Sequence, residues 1–144
     1  KGFSIFYEID HIEDDLYSLT ASLEIDSGSY VISPFSMDST YGPFTLTIAD
    51  TDKLAFEGAL QETPASVEEY DPILEMPVRF VRQNTVYNQT IRVLSQEDFD
   101  AAAMVWFVIE PRCVPYDNTF NLSYRSGVLS VKDEHSTPSA DYKQ

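Results

Sequence analysis

The chain has 144 residues, 43% of them hydrophobic and 13% aromatic, enough apolar material for one domain that buries a core without disulfide or metal staples. Against 24 Asp and Glu stand only 9 Lys and Arg, and a formal net charge of -15 repels phosphate backbones and anionic bilayers, which excludes nucleic acid and charged membrane as partners. No run approaches the roughly 18 apolar residues of a membrane span, and the single cysteine excludes an internal disulfide framework and a cysteine-only metal site.

Phe3, Ile5, Tyr7 and Ile9 alternate with polar residues, and after an acidic turn Leu19, Ala21, Leu23 and Ile25 do the same, so period two predicts half-buried strands. Asp26-Ser27-Gly28 is turn chemistry, and Tyr30 to Ser33 is a short strand ended by Pro34, which has no N–H for a ladder. After a loop from Phe35 to Pro43, Phe44 to Ala49 reads as a strand, Asp50-Thr51-Asp52 as its turn, and Leu54 to Gly58 as its hairpin partner. From Ala59 to Asp71 the chain is polar and acidic, with Pro64 and Pro72 near its edges, and is expected to be a long surface excursion.

Met76 to Val81, Tyr87 to Leu94, Ala101 to Ile109, Thr119 to Tyr124 and Val128 to Val131 complete about nine or ten strands. The apolar run from Ala101 to Ile109 reads as a strand buried on both faces, stopped by a Pro-Arg-Cys-Val-Pro turn that lifts Cys113 to the end of a sheet. Ser95 to Phe99 has a capping-like start and is expected to make at most one helical turn. Many short strands with turns and no helical crossovers predict an all-β, immunoglobulin-like antiparallel β-sandwich over residues 1–131. The segment 132–144 reads as a flexible tail or truncated linker.

The order Phe56-Glu57-Gly58, Glu69-Tyr70-Asp71-Pro72, Met76 and Cys113-Val114-Pro115 resembles the N-terminal periplasmic domain of the thiol:disulfide interchange protein DsbD. Upstream, Ser29-Tyr30-Val31-Ile32-Ser33 and Gly42-Pro43-Phe44-Thr45 look like that family's early strand and its Gly-Pro segment. The resemblance implies an exported immunoglobulin-like domain, here starting at Lys1 with its export signal removed, that meets a thioredoxin-fold or other exported protein and needs no cofactor. Its relay uses two cysteines. Cys113 matches the second, while the first is expected roughly five or six positions upstream, where Phe107 and Val108 stand. One thiolate attacks and another resolves the mixed disulfide, so Cys113 alone cannot complete the cycle. The family's cap over its site is marked by an acid and an aromatic; Asp71 matches the acid, but Ile73 and Leu74 replace the aromatic, and Ile32 stands where tyrosine is usual.

Three functions follow as expectations: an interaction module without the relay, a thiol-exchange protein in which Cys113 uses a thiol from another chain or domain, and a carbohydrate-binding or adhesion module. The last would gather Tyr30, Phe35, Tyr41 and Tyr116 into an aromatic patch at one end of the sandwich. The simplest place for Cys113 is a buried or half-buried turn position. The acids Glu57, Glu62, Glu68, Glu69 and Asp71 read as a solvated loop, since nothing holds two carboxyls at a hydrolase separation. Asp50-Thr51-Asp52 lacks the glycine and distal glutamate of a calcium loop, and His11 and His135 lie too far apart in the chain for a triad or zinc site, so no metal is expected.

Overall fold

In the computed structural model, which describes residues 2–37 and 42–132, the period-two stretches are strands and no helix forms among the described residues. Eleven strands are present among the described residues: β1 (Phe3–Glu13), β2 (Leu16–Ile25), β3 (Val31–Ile32), β4 (Thr45–Ile48), β5 (Leu54–Thr63), β6 (Val67–Asp71), β7 (Met76–Val81), β8 (Thr85–Val93), β9 (Phe99–Ile109), β10 (Val114–Arg125) and β11 (Val128–Val131). They form two four-stranded sheets, ordered β1-β2-β8-β5 and β11-β10-β9-β4, and a three-stranded sheet ordered β3-β7-β6. Every pairing is antiparallel, and the chain is an immunoglobulin-like β-sandwich.

The core lies between the two larger sheets, where the inward residues of each strand meet. Tyr7 of β1 stacks on Phe120 of β10 at 3.7 Å between ring centroids, and Phe44 stacks on Tyr87 of β8 at 4.2 Å. The Tyr7 hydroxyl donates to Asn118 Oδ1 at 2.9 Å, which gives its buried polar end a partner. Burial, and then the neighbouring Tyr116, push the Tyr7 phenol far above its ordinary pKa, so it stays protonated.

Four expectations are corrected. Leu54 to Gly58 is not the hairpin partner of Phe44 to Ala49: β4 pairs β9 and β5 pairs β8, so the turn at Asp50 carries the chain from one sheet to the other. Ala59 to Asp71 is not a long loop; β5 runs through Thr63 and β6 starts at Val67, and both are edge strands that need few apolar residues. β9 is not buried on both faces along its length, because Ala102, Met104 and Trp106 point away from the core; only its end, Phe107-Val108-Ile109, is covered on both sides. The cover over Val108 includes Gly42, which has a φ of 78° and passes so close that an added Cβ would lie 2.5 Å from Trp106 Cη2. Finally, Ser95 caps no helical turn: its Oγ accepts the Glu97 N–H at 3.1 Å inside a bend.

One carboxylate is a side-chain tie between the small sheet and the sandwich. Glu62 of β5 accepts hydrogen bonds from Ser33 Oγ (2.7 Å), Tyr87 Oη (2.8 Å) and the Ser66 N–H (2.9 Å), joining the residues that follow β3 and precede β6 to β8. Burial raises its pKa, but the bonds from Ser66, Ser33 and Tyr87 outweigh it and hold the carboxyl below the ordinary value. A depressed folded-state pKa contributes stability that is complete above the unfolded value and is lost as pH falls through the folded one. Glu62→Gln is therefore expected to flatten the acid limb of the stability profile, measured as urea midpoint against pH; superimposable wild-type and variant profiles would contradict this linkage.

Candidate functional site

The connection between β9 and β10 is the loop Glu110-Pro111-Arg112-Cys113, closed by the Ile109–Val114 pair. It is held to the small sheet by Tyr30, whose N–H donates to the Glu110 carbonyl at 3.0 Å and whose carbonyl accepts the Glu110 N–H at 2.8 Å. Cys113 sits at the end of the loop with a φ of 57°, in the left-handed region that a non-glycine residue seldom adopts. Its side chain is exposed and free, contrary to the expected buried or half-buried position, because the left-handed turn faces it away from both core layers.

Across from this loop stands the tip of the β6–β7 hairpin. Asp71 is buried, and its Oδ1 accepts the N–H groups of Ile73 (2.8 Å) and Leu74 (3.3 Å), an Asx-type turn that shapes the tip. The Glu75 N–H closes the turn on the Asp71 carbonyl at 2.7 Å. This geometry turns Leu74 under the hairpin against the small cluster of Ile32, Val78 and Phe80, and leaves Ile73 83% exposed. Asp71, Ile73 and Leu74, the residues expected in a cap-like loop, lie at this hairpin tip, with the acid shaping it and the isoleucine presented.

Between tip and loop lies a cleft of about 420 Å³, lined by Tyr30, Glu69, Tyr70, Asp71, Pro72, Ile73, Phe80, Arg82, Glu110, Pro111 and Cys113. Its floor is a stacked cation. The Arg82 guanidinium lies 4.2 Å from the Tyr30 ring centroid and 4.9 Å from that of Phe80, and forks onto Glu69 at 2.7 and 3.1 Å. The Glu69 hydrogen bond, opposed by partial burial, raises the Arg82 pKa above its ordinary value, so the charge is permanent. The cleft therefore offers an apolar lip at Ile73, Pro72 and Pro111, a fixed cation already paired with a carboxylate, and one thiol at its rim. No group of three or more His, Cys, Asp or Glu among the described residues is arranged to hold a metal.

The two positions expected for a lost partner cysteine are not across from Cys113. In the β9–β10 register Pro115 faces Val108 and Tyr116 faces Phe107. Phe107 is fully buried between Phe3, Phe44 and Tyr116, and Val108 is 8% exposed. Cys113 lies before the first residue of β10, in a loop with a left-handed turn, so it is offset from Val108, whose partner across the ladder is Pro115, and the two are not a facing pair. Val108→Cys is accordingly expected to leave both thiols free after oxidation, counted by alkylation and mass spectrometry; an internal disulfide in the folded variant would show that the register is wrong.

The expected aromatic patch does not form among the described residues. Tyr116 is in the core, Tyr30 lies beneath Arg82, and Phe35 is 45% exposed at a separate hollow with Glu62, Ala65 and Arg79; Tyr41 and His135 lie outside the described residues, as does the tail beyond Lys132. Arg82 and Phe80 escaped notice in the sequence because an arginine just past a strand end carries no periodic signal. Glu69 was visible as one acid of a cluster and as the start of Glu69-Tyr70-Asp71-Pro72, but not as the partner of Arg82.

No family model matches the chain, and no curated protein matches it. Among solved structures, it is similar to the reduced-form N-terminal domain of Neisseria meningitidis DsbD at 10% identity, covering 88% of this chain and 89% of that one with a TM-score of 0.48. A structure of the complex between the DsbD N-terminal and PilB N-terminal domains of Neisseria meningitidis matches at 13% identity, with 84% and 87% covered and a TM-score of 0.47. The GAE domain of GGA2p from Saccharomyces cerevisiae matches at 13% identity, with 88% and 92% covered and a TM-score of 0.45. No helix among the described residues is long and apolar enough to cross a membrane.

Proposed function

We propose that this chain is an exported interaction module, resembling the DsbD N-terminal domain in its motif order but without the intramolecular thiol relay, and that it receives a partner protein in the cleft between the β6–β7 hairpin tip and the Cys113 loop. The observation that carries this reading is the pairing of an exposed apolar lip, Ile73 at 83% and Tyr70 at 66% exposure, with a preformed cleft of about 420 Å³ in a chain that holds one cysteine. An exposed isoleucine and tyrosine flanking a concavity are the usual anchors of a protein contact. The partner class is an exported protein, with thioredoxin-fold proteins the first to try.

A second reading is favoured by the exposure of Cys113 at the rim: thiol exchange with a cysteine of another chain. In that step the Cys113 thiolate attacks a partner disulfide, one Cys113–partner S–S bond forms, and the partner's other sulfur leaves as a thiolate. The test separates the two. The chain and its Cys113→Ser variant are each incubated with an oxidised thioredoxin-fold protein, and association is followed by calorimetry and non-reducing gels. Equal binding by both forms with no cross-linked band is the result expected for the interaction module. A disulfide-linked species lost in Cys113→Ser transfers the conclusion to the exchange reading, and wild-type binding that survives Ile73→Asp without loss overturns the assignment to the cleft.

A further inference from the structure

β6 is an edge strand with an open side. It pairs β7, and no strand pairs its other edge among the described residues. Which of its backbone groups face that edge can be read from β7. Opposite Glu68 stands Arg79, whose N–H donates to Ser36 Oγ (3.2 Å) and whose carbonyl accepts the Ser33 N–H (3.0 Å), both on the β3 side and away from β6. In an antiparallel ladder the two groups of one residue point the same way and successive residues alternate. Glu68 and, two residues on, Tyr70 therefore turn their N–H and C=O groups to the open edge.

The charges on this edge are all acidic, so they guard it against another acidic strand and not against a basic one. The edge carries no lysine, proline or bulge, and Val67 and Tyr70 are 62% and 66% exposed. Beside Val67 lies a hollow of about 190 Å³ whose walls include Pro64, Ala65 and Phe80. On the opposite face of the strand stands Glu68, which is exposed and makes no ion pair among the described residues, because the facing Arg79 directs its guanidinium to Ser66. Glu69 and Asp71 share the face of Val67, where Arg82 pairs with Glu69 and the N–H groups of the hairpin tip bond Asp71, so Glu68 is the acid of β6 that would meet an added strand. A second copy is a poor occupant, since it would bring two acidic strands from chains of net charge -15 together.

We infer that the free edge of β6 takes an extended segment of another protein as an added strand, one that alternates apolar and basic residues. Its apolar side chains fall on the face of Val67 and its hollow, and its lysines or arginines fall on the face of Glu68, while its backbone pairs with Glu68 and Tyr70. The inference rests on the reading of the chain as an interaction module, but it concerns the strand beside the cleft and does not involve Cys113.

The test is amide hydrogen exchange by NMR on the whole chain at low salt, with a capped alternating Lys-Val peptide as the probe. Slower exchange of the Glu68 and Tyr70 amides by about tenfold or more, weakened by added salt, is the expected result. Val67 and Glu69, already bonded to β7, should change little. An alternating Glu-Val peptide should protect neither amide. Tyr70→Pro removes one outward N–H at an edge position where proline is tolerated, so a folded variant that no longer protects Glu68 supports the added strand. The inference is overturned if the Lys-Val peptide binds without protecting Glu68 and Tyr70, if both peptides bind alike, if neither binds, or if the edge is covered by self-association of the chain. Protection that persists alongside a Cys113-linked partner would support this inference while removing the non-redox reading above.

Discussion

Phe107→Ala is expected to cost about 3–5 kcal/mol of stability, the range for emptying a fully buried aromatic site. Phe107 is completely buried on the inward face of β9, with ring centroids of Phe3, Tyr116 and Phe44 at 5.0, 5.2 and 5.8 Å. These rings come from β1, β10 and the segment leading into β4, so removing Phe107 loosens both sheets at once. The loss is a large share of the roughly 5–15 kcal/mol that holds a domain together. Chemical denaturation of the variant reads it directly. Met104, on the same strand but facing outward, is 37% exposed, and Met104→Ala is expected to change stability by about 0.5 kcal/mol or less. Similar losses at the two positions would show that β9 does not present its faces as described.

Gln89→Leu is the second large effect, expected at about 1–3 kcal/mol from the lost hydrogen bonds of a buried amide. The register between β5 and β8 jumps from Glu57–Thr90 to Gln61–Asn88, so Gly58, Ala59 and Leu60 bulge opposite Gln89. The buried Gln89 amide answers the bulge, with Nε2 3.2 Å from the carbonyls of Glu57 and Gly58 and from its own neighbour Thr90. Leucine keeps the bulk and removes the donor. Hydrogen exchange should then quicken around residues 57–61 before the rest of β5; a variant as stable as the parent, with unchanged exchange there, would mean the bulge carbonyls do not depend on Gln89.

Both effects rest on features the sequence displayed unevenly. Phe107 stood in an apolar run, and the run alone did not reveal that its neighbours Trp106 and Met104 face outward. Alternation is masked there because alanine, methionine and tryptophan all score as apolar. Gln89 gave no signal at all, since a buried amide is meaningful only beside the bulge it serves. The site was legible in halves. Pro111 and Pro115 around Cys113 announced an exposed turn, and Asp71-Pro72 announced a tip, but nothing in the order of residues said that the turn and the tip form one cleft, with Arg82 stacked at its base.

By itself the sequence determined the strands that carry an apolar period and the class of fold, because a period of two apolar residues can only be buried by a sheet with one dry face, and turn residues cut that pattern into short lengths. It also determined that Cys113 has no partner thiol in this chain. The tertiary structure decided which strand meets which: β4 and β5, adjacent in the chain, belong to opposite sheets, and the acidic stretch before Asp71 became edge strands. It decided, too, that Phe107 and Val108 are packing residues set along the strand from Cys113. The physical reason is that periodicity specifies which face of a strand is buried, a local property, whereas strand partners and register are chosen by long-range packing among several faces of equal hydrophobicity.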